Sequence, residues 1–252
     1  MAAYGERLLT RGDEGADVVE LQMRLAGFRG TVPDGGFGPG TELQVTAFQR
    51  DWMHLPTPHG RVDQATFDAI TAFAATHPID FKALTCGCGV CGGFGRGKFK
   101  GLFVQGAPKT EAYFRYEYPG IHRMLLWAFR AAVFYCESKN LELNITSGYR
   151  CSENNLQNQR TSTNHHGKAV DFDIKGVTDK REDMLRCDEI RGLLVERANA
   201  QVGWSGSNRK SLEPNNIAPT WVHYDVRSYE RRYLDDRFFV RSLVDLDGAP
   251  GP

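Results

Sequence analysis

The segment 162–174 places the strongest constraint on how this chain can fold. Two adjacent histidines, His165 and His166, precede a glycine, and the run that follows alternates apolar with acidic residues. Successive side chains of a β-strand point to opposite faces, so this period of two predicts a strand with Asp171 and Asp173 on one face. The segment therefore predicts a tight turn that leads into a strand with one acidic face.

A second alternating run, at residues 221–225, carries His223 and Asp225 on one face. Zinc takes mixed nitrogen and oxygen ligands, and a catalytic zinc uses three of them plus a water. One imidazole and one carboxylate from segment 162–174, together with His223, could therefore hold one zinc ion. Because neighbouring residues of an extended segment point in opposite directions, we expect only one of the two adjacent histidines to bind.

The length and charge of the chain exclude several classes of protein. The 252 residues are enough for two domains with a core, and 31 basic residues balance 31 acidic ones. A net charge of zero argues against a general nucleic-acid binder, which works by neutralising phosphates. No apolar run approaches the roughly 20 residues of a membrane span, and the N-terminus has no apolar signal core. We expect a monomer that is made in the cytoplasm and acts elsewhere only after release.

Residues 1–77 carry the pattern of a small helical domain. Apolar residues recur at helical spacing, and turn clusters rich in glycine and proline at 33–41 and 56–60 separate three helical patterns. The turn and helix start at 34–41 are echoed at 59–66, which makes an internal repeat. The pattern predicts a three-helix bundle.

This helical pattern resembles the type-1 peptidoglycan-binding domain. The matching pieces are Gly12-x-x-Gly15-x-x-Val18-x-x-Leu21-Gln22-x-x-Leu25, Asp34-Gly35-Gly36-Phe37-Gly38-x-x-Thr41 and Val45-x-x-Phe48-Gln49. The resemblance implies that the partner of this domain is bacterial peptidoglycan.

Residues 78–100 are rich in glycine and are expected to form a linker into the next domain. Their cysteines, in the run Cys-Gly-Cys-Gly-Val-Cys at 86–91, are crowded as in a metal site or as free thiols of a reducing compartment. A zinc knuckle needs a fourth ligand, which only the fold could bring from Cys136, Cys151 or Cys187. Inert or disulfide-capable thiols are therefore the preferred interpretation of these cysteines, and a second structural metal is the alternative.

Residues 101–252 combine helical and strand patterns. A helix is expected from Pro119 to about residue 139, a strand at 141–146, a polar loop at 153–163 and a second helix at about 186–200. The whole chain is therefore expected to be α+β, with the N-terminal bundle followed by a mixed domain of an antiparallel sheet and flanking helices.

Three motifs of this second domain resemble the zinc peptidases of family M15. They are Ser147-Gly148-Tyr149-Arg150, Gly167-x-Ala169-x-Asp171 and Trp221-x-His223-x-Asp225, in that order. The family includes D-Ala-D-Ala carboxypeptidases and phage L-Ala-D-Glu endopeptidases. The resemblance implies a zinc D-Ala-D-Ala carboxypeptidase-like fold that hydrolyses amide bonds with Zn²⁺ as the cofactor.

The resemblance also implies a ligand set. Asp171 would be the carboxylate ligand and His223 the last imidazole. Many members have a histidine three residues before the glycine, where this chain has Asn164. We therefore expect His165, which lies nearer the family position, to be the remaining ligand, with His166 paired with Asp173 as the fallback.

The remaining catalytic roles follow from the same likeness. Many members have a glutamate base three residues before the last histidine, where this chain has Thr220. Asp225 is the best local substitute as general base and Glu213 is a weaker candidate. Arg150 is expected to bind a substrate carboxylate or a developing oxyanion, with Ser147 beside it in the substrate site.

Together these features predict an endolysin, a hydrolase that cuts the stem peptide of peptidoglycan. Cleavage between L-Ala and D-Glu is preferred because lysis requires the network to be broken. The alternatives are a D-Ala-D-Ala carboxypeptidase and a non-catalytic cell-wall-binding protein that has lost its base.

Overall fold

The computed structural model describes residues 3–95, 116–160, 162–203 and 210–248. In its N-terminal part, three helices follow one another: α1 (Ala16–Arg24), α2 (Pro39–Asp51) and α3 (Gln64–Thr76). The described residues that follow contain β1 (Ile121–His122), α4 (Arg123–Glu137), β2 (Leu143–Ser147), α5 (Ser152–Gln157), β3 (Ala169–Ile174), α6 (Lys180–Ala198), β4 (Gln201–Val202), β5 (Ser211–Leu212), β6 (Val222–Asp225), β7 (Phe239–Val240) and α7 (Leu243–Asp247), with two short 3-10 helices between β6 and β7.

The N-terminal helices pack around a cluster of aromatic rings. Phe28 meets Phe48 and Phe73 edge to face, at centroid distances of 5.1 and 5.4 Å. Local chemistry fixes the helix starts, since Pro39 opens α2 and the Asp63 carboxylate accepts a hydrogen bond from the backbone N–H of Thr66 in α3. The predicted three-helix unit is present.

Five strands form the main sheet of the second part, in the order β2-β3-β6-β5-β4. All neighbours are antiparallel except β4 and β5, which are parallel. Helix α4 packs against one face, where the rings of Phe129 and Phe172 lie 5.0 Å apart. Because side chains alternate along β3, Asp171 projects to the opposite face. The α+β architecture expected from the sequence is confirmed.

Three local expectations were wrong, and one of them is the start of the second helix, which lies at Lys180 rather than at about residue 186. Helix α4 begins at Arg123 rather than Pro119, because Ile121 and His122 pair with β7 and the His122 side chain caps the helix by accepting from the Met124 N–H. The stretch expected to be a polar loop contains the short helix α5. No helix in the described ranges is long and apolar enough to cross a membrane.

The N-terminal helices and the second part share one buried core. At Gly27 an added Cβ would lie 2.1 Å from the Cβ of Ala131 in α4, so the backbones of the two parts approach closely. The carboxylate of Glu20 in α1 is buried and bonds both Arg24 and Arg123, with N···O distances of 2.6–2.7 Å. The boundary at residue 77 stays a prediction, and residues 96–100 of the expected linker lie outside the described residues.

Candidate metal centre

The centre is built on the antiparallel pair β3 and β6. Their register places Asp171 directly opposite His223, so both side chains lie on the face of the sheet away from α4. The turn before β3 depends on Gly167, whose φ is +100°. A Cβ added at this position would lie 2.3 Å from the carbonyl oxygen of Gly120. This turn delivers His165 to the same face.

The three residues converge on one point. The Nε2 atom of His165 lies 3.2 Å from Oδ2 of Asp171, and Nδ1 of His223 lies 2.6 Å from Oδ1 of the same carboxylate. The possible ligand atoms of the three side chains all lie within 4.8 Å of one another, and all three residues are buried. The arrangement could hold a metal ion.

Hydrogen bonds orient both imidazoles toward this point. Nδ1 of His165 lies 2.7 Å from the carbonyl oxygen of Gly148, which can only accept, so Nδ1 carries the proton and Nε2 a lone pair. This buried Nε2 has no hydrogen-bond partner among the described residues. Nε2 of His223 lies 3.0 Å from Oδ2 of Asp225, which leaves Nδ1 to face Asp171. Metal-binding histidines have such outer partners.

The electrostatics of the centre favour a cation. Burial alone would raise the pKa of Asp171, but the imidazoles of His165 and His223 outweigh it and hold the pKa well below its usual range. Burial alone would lower the pKa of His223, but hydrogen bonds to Asp171 and Asp225 outweigh it and raise the pKa to about 9. Burial lowers the pKa of His165.

Asp225, the general base expected from the sequence, lies in an enclosed environment. It is fully buried, with Oδ2 bonded to His223 and 2.8 Å from Nε of Arg227. Its Oδ1 accepts from the backbone N–H of Arg227 at 3.0 Å. Both carboxylate oxygens of Asp225 are therefore engaged by groups of the protein.

Glu213 has the access that Asp225 lacks. Its side chain is 16% exposed, and Oε1 lies 4.0 Å from Nε2 of His223. The backbone N–H of Glu213 donates to the carbonyl of His223 across the sheet at 3.2 Å, which fixes its position beside the centre. Arg227 approaches the same oxygen at 3.6 Å.

Arg150 and Ser147 both lie at the edge of the centre. The Nη2 atom of Arg150 is 3.8 Å from Oδ2 of Asp171, and burial lowers the pKa of its guanidinium. Its backbone N–H donates to the carbonyl of His165 at 2.8 Å. Ser147 pairs with Asp171 across β2 and β3, next to an irregularity in the register.

The fallback pair of His166 and Asp173 does not converge on the centre, so this expectation was wrong. His166 turns its Nε2 toward the side chain of Asn155, at 3.4 Å, and takes no part in the group of possible ligands. Asp173 accepts a hydrogen bond from the Asn144 side chain at 2.9 Å. The reason is geometric, because the two histidines are neighbours that point apart and Asp173 lies about 6.6 Å further along the strand.

The sequence reasoning did not identify two groups that support the centre. The carbonyl of Gly148 holds His165, and Arg227 holds both Asp225 and Glu213. Backbone carbonyls carry no sequence signal. Arg227 follows Asp225 by two residues, the spacing that places side chains on one face of a strand, and this spacing could have indicated its role.

Comparison with known proteins bears on the N-terminal part of the chain. Residues 14–70 match the family model described as a putative peptidoglycan binding domain. The match agrees with the resemblance drawn from the glycine and threonine turns, and it supports a cell-wall-binding module. A search of curated proteins found none that matches this chain.

Proposed function

We propose that this protein is a zinc-dependent peptidoglycan hydrolase that cuts an amide bond of the stem peptide. The convergence of His165, Asp171 and His223 carries the proposal. The peptidoglycan-binding match at residues 14–70 supplies the substrate class. A wall-binding module on the same chain raises the effective concentration of the centre on an insoluble polymer.

The residues of the centre fit a catalytic zinc. Two imidazoles and one carboxylate leave the fourth position open, as catalytic zinc sites do. Nε2 of His165, Nδ1 of His223 and the Asp171 carboxylate would hold the ion. The buried Nε2 of His165, which has no hydrogen-bond partner in the described part of the chain, supports this assignment. When bound, zinc would supply a water of lowered pKa and would polarise the scissile carbonyl.

The surrounding side chains have distinct roles in the proposed reaction. Glu213 accepts a proton from the attacking water and passes it to the leaving amine. Asp225 holds the Nε2–H of His223, which keeps Nδ1 free to bind. Arg150 binds a carboxylate of the stem peptide or the oxygen that becomes negative in the transition state.

We further propose that the bond cut lies between L-Ala and D-Glu. Cleavage there leaves L-Ala on the glycan and separates the rest of the stem peptide from it, which breaks the network, and the proposed enzyme would do so after release from the cytoplasm. Removal of a terminal D-Ala leaves the network intact. Arg150 could bind a carboxylate in either substrate, so the products decide between the two.

Digestion of purified peptidoglycan tests this proposal, with mass spectrometry of the released fragments. We expect soluble products with a new amino terminus at D-Glu, loss of product after chelation and recovery with zinc. Release of D-Ala alone would support the carboxypeptidase alternative. Binding to the wall without any product would support a non-catalytic protein, the alternative favoured by Thr220 in place of the family glutamate.

A matched pair of variants assigns the activity to the centre. We expect Asp171→Asn to lose the activity and the metal, because an amide is a poor zinc ligand. Asp173→Asn makes the same change two residues along the same strand, where the carboxylate accepts a hydrogen bond from the Asn144 side chain. This control should keep both. Equal activity in the two variants would remove Asp171 from the reaction.

A further inference from the structure

Four cysteines come together beside the proposed catalytic centre but outside it. Three of them, Cys86, Cys88 and Cys91, lie in the segment after α3, and Cys151 is the N-cap residue of α5. The Sγ atom of Cys151 lies 3.6 Å from that of Cys86 and 3.5 Å from that of Cys88. All four sulfur atoms lie within 4.8 Å of one another.

We propose that these four cysteines form a second metal site, which binds a structural zinc ion through four thiolates. Tetrahedral zinc with bonds of about 2.3 Å to sulfur requires sulfur–sulfur distances of about 3.8 Å, close to those between Cys151 and its neighbours. Cys88 and Cys91 have the two-residue spacing typical of structural zinc sites. Four protein ligands leave no open position, so the site has a structural role.

Backbone N–H groups around the sulfurs support thiolate ligands. Val90 and Cys91 point their N–H groups at Sγ of Cys88, at 3.4 and 3.3 Å. The N–H of Cys151 points at Sγ of Cys86, and that of Asn154 points at Sγ of Cys151, both at 3.4 Å. Donors aimed at a ligating sulfur stabilise its negative charge and orient it.

The proposed zinc would hold the segment that orients His165. The backbone N–H of Tyr149 donates to the carbonyl of Leu84 at 2.8 Å, and at Gly148 an added Cβ would lie 2.4 Å from the Leu84 backbone. Gly148 bonds Nδ1 of His165, and Arg150 follows two residues later. A metal at Cys86 and Cys151 would therefore fix this segment from both sides.

The position of Cys151 supplies the fourth ligand that a zinc site at residues 86–91 lacked in the sequence. The fourth ligand is absent at any ordinary spacing from Cys91, and the fold brings it from a position 65 residues after Cys86. The proposal does not depend on the hydrolase activity, because the cluster shares no ligand with His165, Asp171 or His223.

Zinc stoichiometry of the full-length protein, purified under reducing conditions, tests the proposal. We expect two zinc ions per chain in the wild type and one in the double variant H165A/H223A. The variants C88S and C151S should each lose the other ion. Cys136→Ser and Cys187→Ser are matched controls, because these buried cysteines lie outside the cluster, and both should keep two.

Cobalt substitution gives a readout that does not depend on activity or on the folding of cysteine variants. In H165A/H223A loaded with Co²⁺, we expect thiolate-to-cobalt charge-transfer absorption with the strong visible bands of a tetrahedral site. Absence of that absorption, together with no bound zinc in this variant, would overturn the proposal. Disulfides among the four cysteines in the active protein would overturn it as well.

The two tests also separate this proposal from the proposed function. A protein that holds zinc in H165A/H223A but never releases peptidoglycan fragments keeps the cysteine site and loses the hydrolase. If the protein hydrolyses peptidoglycan with one zinc ion per chain, and H165A/H223A loses that ion, the hydrolase proposal stands and the cysteine site is overturned.

Discussion

At the scale of single residues, Asp171 is the residue of the centre that contacts all the others. Its two carboxylate oxygens face His165 and His223 at 3.2 and 2.6 Å, and Arg150 stands 3.8 Å away. A buried carboxylate is stable only with such partners, since an isolated buried charge is expensive. The two imidazoles among these partners are the groups that could hold a metal ion together with Asp171.

The two acidic neighbours of His223 are expected to respond differently to substitution. Glu213→Gln should lower kcat by about 10²–10⁴-fold with zinc content unchanged, because it removes the proposed proton acceptor. Asp225→Asn should instead weaken zinc binding by about 10–100-fold, because it removes the partner of His223. Steady-state kinetics and zinc titration measure the two effects.

The reverse result would reassign the base. If Asp225→Asn keeps full zinc affinity while kcat collapses, and Glu213→Gln is active, the enclosed carboxylate is the base after all. Both substitutions preserve side-chain size, so packing is a small part of either effect.

At the scale of elements, the turn before β3 and the pairing of β3 with β6 create the centre. The alternation of 169–174 identified a strand, but its neighbours β2 and β6 come from residues about 30 before and 50 after it, as the pairs Asn144–Asp173 and His223–Asp171 illustrate. The start of α4 shows the same dependence. Its local signal was Pro119, but pairing with β7 uses the backbone up to His122.

The turn glycine gives a prediction at this scale. Gly167→Ala should lower the free energy of unfolding by more than about 1 kcal/mol, because it adds strain at positive φ and a clash with Gly120. Gly176→Ala is the control, since φ there is +81° but an added Cβ meets nothing within 4 Å. Urea unfolding of both variants measures the difference.

Comparison of Gly167→Ala with Gly176→Ala separates the effect of the clash with Gly120 from the effect of positive φ. A loss at Gly167 no greater than the loss at Gly176 would mean that the close approach to Gly120 is not limiting. We also expect Gly167→Ala to lower zinc content, because the turn delivers His165.

At the scale of the whole molecule, the N-terminal helices and the second part share a buried core that contains ion-paired side chains. Glu20 of α1 bonds Arg123 of α4, and the three side chains of the cluster, which includes Arg24, are all at least 95% buried. Arg130 of α4 bonds Asp247 of α7 at 2.8 Å. A close-packed contact of this kind favours joint unfolding rather than two independent domains.

Removing the shared carboxylate tests this coupling. Glu20→Ala should lower the free energy of unfolding by about 3–5 kcal/mol, because it leaves two buried guanidiniums without their partner. Calorimetry should show one transition in the wild type. Glu42→Ala in α2 is a control, because its ion pair with Arg11 is exposed and should contribute less than about 1 kcal/mol. Two separate transitions in the wild type would contradict the shared core.

A buried lysine at the contact between the parts gives a pH-dependent prediction. Lys210 donates to the carbonyl of Ala26 at 3.1 Å, and burial lowers its pKa to about 7, against about 10.4 in the unfolded chain. Between these values the unfolded state binds more protons, so this residue makes stability rise with pH from about 7 to 10. His122 nearby stays neutral there, because burial, with the charge of Arg123, lowers its pKa to about 4.

Lys210→Met should therefore raise the free energy of unfolding at pH 6 more than at pH 9. The stability difference between the variant and the wild type should shrink by up to about 1.4 kcal/mol for each pH unit above 7. Denaturant unfolding of wild type and variant at both pH values measures it. A difference that does not change with pH would mean that Lys210 keeps an ordinary pKa in the folded protein.

The sequence by itself determined the features that depend on near neighbours along the chain. Period-two alternation identified β3 and its acidic face, helical spacing and glycine turns identified the N-terminal bundle, and the motifs singled out His165, Asp171 and His223. These signals are local, because side-chain direction and turn geometry follow from a few adjacent residues.

Only the tertiary structure decided which groups meet. The enclosure of Asp225, the access of Glu213, the orientation of His165 by Gly148 and the joining of Cys151 to the cysteines at 86–91 all depend on segments distant in sequence. Strand register and close packing set those distances, and no local pattern encodes them.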